Sequence, residues 1–321
     1  MFLGSFLILS IHTDNIKTEQ VYNEVLKQVE MKKNFRIIIT VLLALTTIAL
    51  FVYYISHHTN LITKLGQTSP YTIALLIGLY LLWFMSNILI LAACLSLCKI
   101  GLSASENTLL SAYSTLVNFF IPGQSGPVVR GAYLNRKHKL SVKKYIFVTL
   151  LYYGFYGLVS AILLLVCNRP WWQTLVASIL VVIISFSVIQ LYQKRKKVVE
   201  KSIDWKLTKL IYLLMATILQ AILQLAIYFI ELHSINSGIH ISQAITYTGA
   251  ADFALFVALT PGGIGIRESF LLFSRKLHHI SSANIIAASV IDRSVFLIFL
   301  AMLFVLTIVF HAKDKFKVAK N

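Results

Sequence analysis

Six apolar runs, at residues 35–55, 71–98, 145–167, 171–192, 207–232 and 285–310, are each long enough to cross ~30 Å of hydrocarbon as a helix rising ~1.5 Å per residue. Lipid offers no partner to a backbone N–H or C=O, so such runs must bond within themselves and become helices. The composition agrees: 58% of the 321 residues are hydrophobic and 13% charged, against roughly a quarter charged in soluble domains. A mean hydropathy of +0.78 over the whole length excludes a soluble enzyme held by a single anchor. The net charge of +17 could suggest nucleic acid. In so apolar a chain it places lysines and arginines in loops against anionic headgroups instead. Cys94, Cys98 and Cys167 lie in apolar runs without a CxxC pair and read as small buried hydrophobes.

Two further apolar stretches, 107–121 and 244–260, are shorter, carry polar residues and end in Pro-Gly turns. They read as re-entrant or broken helices. If both re-enter, the N-terminal segment, residues 99–144, residues 194–209 and the tail share one side and hold most of the 29 lysines and arginines. Lys64, Arg169, Arg267, Arg275 and Lys276 fall opposite. The positive-inside rule then puts both termini in the cytoplasm of a cell-membrane protein. The expected organisation is a cytoplasmic segment at 1–34, a membrane domain at 35–310 and a basic tail at 311–321. Met31-Lys32-Lys33 resembles a natural start, so the leading residues are either an extension or a cytoplasmic amphipathic helix. A signal peptide is not expected there, because Met1 to Ser10 is short and has no basic flank.

A shift of 139 residues lays Pro122-Gly123-Gln124-Ser125-Gly126 on Pro261-Gly262-Gly263-Ile264-Gly265 and carries Arg136-Lys137 onto Arg275-Lys276. Three full runs separate the motifs, an odd number, so the two units, about 71–167 and 207–310, would insert in opposite senses. The expected fold class is therefore an all-α polytopic membrane protein, six full spans plus two re-entrant helices in an inverted repeat. Such repeats with interrupted helices meeting near the midplane are a recurrent plan of transporters. A plain tight turn between two helices would also account for each PGxxG motif.

Pro122 and Pro261 end the helices before them, and glycines at 123, 126, 262, 263 and 265 permit tight backbone approach. The following helices would open at about Pro127 and Arg267, their free amides facing the turns as a seat for phosphate. Arg130 and Arg267 suit two roles equally, a charge-assisted phosphate contact or snorkelling to headgroups.

Asp292 and Arg293 lie eight and nine residues into the last run, where each charge costs on the order of 2.5–3.5 kcal/mol. Neighbouring helix positions point ~100° apart, so each must find a partner elsewhere. Glu268, Asp252 and Glu231 are the candidates, and Asp252, Glu268, Asp292 and Arg293 form the expected intramembrane polar site. Glu106 reads as a helix N-terminal charge. The histidines at 57, 58, 278 and 279 are adjacent pairs without HExxH spacing; no metal or other cofactor is expected.

The run Pro122-Gly123-Gln124-Ser125-Gly126-Pro127-Val128-Val129-Arg130-Gly131, then Pro261-Gly262-Gly263-Ile264-Gly265-Ile266-Arg267-Glu268, then Asp292-Arg293, resembles the lysylphosphatidylglycerol synthase transmembrane-region family. The likeness covers residues 35–310. It implies a flippase-like domain moving a phospholipid such as lysyl-phosphatidylglycerol, or a polyprenyl-phosphate-linked lipid. Gly262, Gly263, Gly265 and Glu268 match its PGGxGxxE motif, and Arg293 matches the arginine the family places in the following span. Two departures stand out: Pro127 takes the place of an acidic residue, and residues 150–154 hold only Leu, Tyr and Gly where a charged pair is common. Bifunctional relatives add a cytosolic transferase domain, for which residues 99–144 and the tail have no room. Membrane lipids are thus the expected partners. The alternatives are a transferase-related membrane component or an accessory subunit of a separate transferase.

Overall fold

Nine helices order the described part of the chain, in a computed structural model that describes residues 68–121, 125–167, 203–257, 263 and 265–318. They are α1 (Pro70–Leu97), α2 (Ala104–Phe120), α3 (Ser125–His138), α4 (Val142–Val166), α5 (Leu207–Ile235), α6 (Ile241–Val257), α7 (Ile266–Phe273), α8 (Arg275–His278) and α9 (Ser282–Val318). The described residues contain no strand, and all fall in the unit Phe51–Asn321. The runs expected at 35–55 and 171–192, and the turn residues Pro122, Gly123, Pro261 and Gly262, lie outside the described residues.

α1, α4, α5 and the Ser282–Thr307 part of α9 are long and apolar enough to cross a membrane. At 17 residues each, α2 and α6 reach only about 26 Å. The chain is an all-helical, multi-pass membrane protein. Large apolar side chains such as Leu82, Met85, Leu150, Met215 and Phe304 face outward, which suits lipid as the surrounding solvent. α9 continues as helix through residues expected to form a tail, as far as Val318.

Local chemistry sets the helix ends. Ser69 accepts from the Tyr71 N–H, with Pro70 at the first helical position of α1, and Ser103 accepts from the Glu106 N–H to open α2. α3 begins at Ser125, so Pro127 is its third residue and Arg130 stands in its second turn, deeper than the sequence suggests. α7 starts from Gly265, whose φ of 82° suits a residue without Cβ. Its N–H donates to Glu268 Oε2 at 2.8 Å.

The 139-residue shift carries α1 onto α5, α2 onto α6, α3 onto α7 and α8, and α4 onto α9. Packing follows the same exchange. α1 lies against α5, while α4 packs on α6 and α9 on α2, so the last helix of each half covers the short helix of the other. The two buried clusters cross the halves too: one joins α1 and α2 to the second half, the other joins Leu213 and Ala216 of α5 to the first. At Gly249 of α6 the approach to α4 is so close that a Cβ would stand 2.3 Å from Leu164 N and 2.7 Å from Ser160 O.

Candidate functional site

Between the halves lies a cavity of about 220 Å³. α1, α2, α3 and α4 supply one side of its wall, and α5, Gly263, α7 and α9 the other. The two ends of this wall differ in chemistry.

On the second half, α7 and α9 bring charge together. Arg267, 4% exposed, sets Nη2 2.6 Å from Asp292 Oδ2 and donates through Nη1 to the Tyr228 hydroxyl at 3.1 Å. The Tyr80 hydroxyl donates to Asp292 Oδ1. Arg293 donates to Glu268 Oε1 at 3.2 Å, and Arg267 Nε lies 3.5 Å from the same oxygen. Glu268 thus ties two arginines to the turn at Gly265. Asp292 and Arg293 are neighbours in sequence that reach separate partners, as their ~100° separation requires. Behind this wall Glu231 is 1% exposed and Asp252 is wholly buried, and neither lines the cavity. Asp252 lies beside Tyr156.

On the first half, the positions equivalent to Asp292 and Arg293 are Tyr153 and Gly154. Here the wall is built of tyrosines, amides and one cation. The Tyr152 hydroxyl donates to Gln220 Oε1 at 2.8 Å, and Gln220 Nε2 donates to Asn87 Oδ1 at 3.1 Å, a chain across α4, α5 and α1. Asn118 Oδ1 accepts from the Gly126 N–H at 3.3 Å, which leaves its NH2 as the group it can offer. A Cβ on Gly126 would stand 2.7 Å from Ser114 O, so only glycine lets α3 seat this closely on α2. Arg130 lines the cavity among Tyr145, Tyr152 and Tyr153. Its Nε has no hydrogen-bond partner, and no described carboxylate forms an ion pair with it.

Of the residues named from sequence, Gly263, Arg130, Arg267, Asp292 and Arg293 line one cavity, with Glu268 directly behind. Gly126 and Gly265 shape the helix starts beside it, and Asp252 stands apart from the ion pairs. Tyr80, Asn87, Asn118, Gln220, Gln224 and Tyr228 line the cavity as well, though no motif in the sequence marks them. Amides within an apolar span, such as Gln220 and Gln224 four residues apart on α5, are the signal that could have found them. No group of three or more His, Cys, Asp or Glu fit to hold a metal occurs among the described residues.

A polytopic helical membrane protein with a polar cavity between two matching halves is the class these features define. The family model described as lysylphosphatidylglycerol synthase TM region matches residues 37–303, and the chain belongs to that family. Its function is accordingly related to membrane lipids. No curated protein matches the chain.

Proposed function

We propose that the protein is a lipid translocator of the cytoplasmic membrane, both termini cytoplasmic, that passes a phospholipid or polyprenyl-phosphate-linked headgroup between its halves. The observation that carries this reading is the cavity itself: walled by both halves, lined by polar side chains among aromatic ones, and holding in Arg130 a guanidinium with which no described carboxylate pairs. At about 220 Å³ it lies below the ~300–1,000 Å³ of sites that engulf a drug-sized ligand. It suits a headgroup whose acyl or prenyl chains stay in the bilayer. The ion pairs among Glu268, Arg267, Asp292 and Arg293 supply contacts that can be exchanged as the halves reorganise between inward-open and outward-open states.

The test is leaflet exchange in proteoliposomes, read with a headgroup-labelled anionic phospholipid and a membrane-impermeant quencher. Exchange well above protein-free vesicles, lost in Gly263→Leu, is the expected result. Gly263 lines the cavity at φ 69°, where a leucine would both fill space and strain the backbone. Exchange no faster than in empty vesicles would overturn the reading and direct attention to an accessory role beside a separate transferase.

A further inference from the structure

The charged lining of the cavity is strongly one-signed. Arg130, Arg267 and Arg293 face it from three helices, while Asp292 is the one carboxylate among the described lining residues. Both oxygens of Asp292 are already engaged, Oδ1 by the Tyr80 hydroxyl and Oδ2 by Arg267. Glu268 stands outside the lining, held by Arg293 and by the Gly265 N–H, and neither Glu231 nor Asp252 reaches the cavity surface. An ammonium group entering here would lose its water, find as its one lining carboxylate an Asp292 already paired with Arg267, and approach Arg130. Buried charge without a counter-charge is strongly disfavoured. A phosphate oxygen would instead meet the guanidinium of Arg130, with which no described carboxylate pairs, and a hydroxyl the amides of Asn118 and Gln224.

We infer that the cavity selects lipid phosphates whose headgroup is uncharged or hydroxyl-bearing, and rejects aminoacylated, cationic ones. The inference rests on the translocator reading and sharpens it. The family description refers to the synthase of a lysylated lipid, whereas the lining of this chain fits the lipid before lysine is attached. Arg130 is the residue that sets the choice.

The direct test is competitive lipid retention by the full chain purified in detergent, read by native mass spectrometry. Phosphatidylglycerol, a polyprenyl monophosphate and lysyl-phosphatidylglycerol are the lipid arms, and glycerol 3-phosphate is the soluble one. Phosphatidylglycerol or the polyprenyl phosphate should be retained at least tenfold over lysyl-phosphatidylglycerol. That preference should collapse in Arg130→Gln and persist in Arg130→Lys, each judged on protein that elutes as wild type. Equal or stronger retention of lysyl-phosphatidylglycerol by the wild type would overturn the inference, whatever the variants do. Displacement by glycerol 3-phosphate at concentrations similar to the lipids would overturn the lipid assignment in favour of a soluble phosphate. In vesicles the two readings separate: selective retention without leaflet exchange removes the translocator and keeps the selectivity. Equal exchange of both phospholipids does the reverse.

Discussion

Arg267 Nη2 and Asp292 Oδ2 stand 2.6 Å apart, with both residues almost inaccessible, and so bind the first turn of α7 to the third turn of α9. Taking two charges out of water is costly, and their attraction offsets that cost only while both are present. Asp292→Ala should therefore lower stability by about 3–5 kcal/mol, the usual penalty for leaving one buried charge alone. Arg267→Met with Asp292→Leu should recover most of it. Thermal unfolding in detergent checks both. A double variant as unstable as the single one would show that the pair does more than neutralise itself.

Glycine positions supply a sharper contrast. Gly249→Ala would place a methyl against the backbone of α4, 2.3 Å from Leu164 N, with no flexible side chain to yield. Gly78→Ala in α1 meets nothing within 4 Å and replaces a poor helix former; it should gain up to about 1 kcal/mol. Yield of monodisperse protein should collapse for the first and match or exceed wild type for the second.

Where the first turn of α2 meets the end of α3, Glu106 Oε1 accepts from the Tyr133 hydroxyl at 2.6 Å and lies 2.7 Å from His138 Nε2 and 2.9 Å from Lys137 Nζ. Burial opposes its charge, but these hydrogen bonds outweigh it and bring the carboxyl from 4.5 down to about 2. A depressed carboxylate adds stability that is complete above the unfolded value and fades as pH falls toward the folded one. The stability difference between wild type and Glu106→Gln should thus be constant above about pH 4.5 and shrink between there and pH 2. Melting curves across that range decide it, and a difference that does not vary with pH would remove the carboxylate from the account.

His278, buried at the end of α8, loses stability in the same direction of pH but for the opposite reason, since its surroundings favour the neutral form. Its Nε2–H donates to the Leu271 carbonyl at 3.0 Å and its Nδ1 accepts from the Ile280 N–H at 3.3 Å, which fixes the neutral ring. Burial, then the nearby His279, lower its pKa below 6.5 in spite of the Leu271 bond. Protonation at Nδ1 would break the Ile280 bond, so stability should decline as pH falls below about 6.5, earlier than the Glu106 transition. His278→Ala should cost roughly 1–3 kcal/mol at neutral pH and abolish this early decline. Proton titration followed by melting temperature is the measurement.

Much of this architecture could be read from the chain because hydropathy and punctuation act locally. The limits of α1, α4 and α5, the short helices before the Pro-Gly turns and the need of Asp292 and Arg293 for separate partners all follow from runs and spacings. The partner of Asp292 did not follow. Arg267 looked like a free cation beside a glycine turn, since nothing within a dozen residues reveals that α7 folds back on α9. The tyrosine and amide wall was hidden for a related reason. Tyr80, Asn87, Gln220 and Tyr228 look like ordinary interfacial or core residues until packing of α1 on α5 brings them to one surface.

The covering of each short helix by the other half's last helix means that neither half is a module in the usual sense. Each is part of the other's interior. A polypeptide carrying only residues of the first half would leave α2 and the inner face of α1 without their cover, and could regain it only from a second, similar chain. What a pair of identical subunits would have to find by collision, the two halves of this protein carry on one thread.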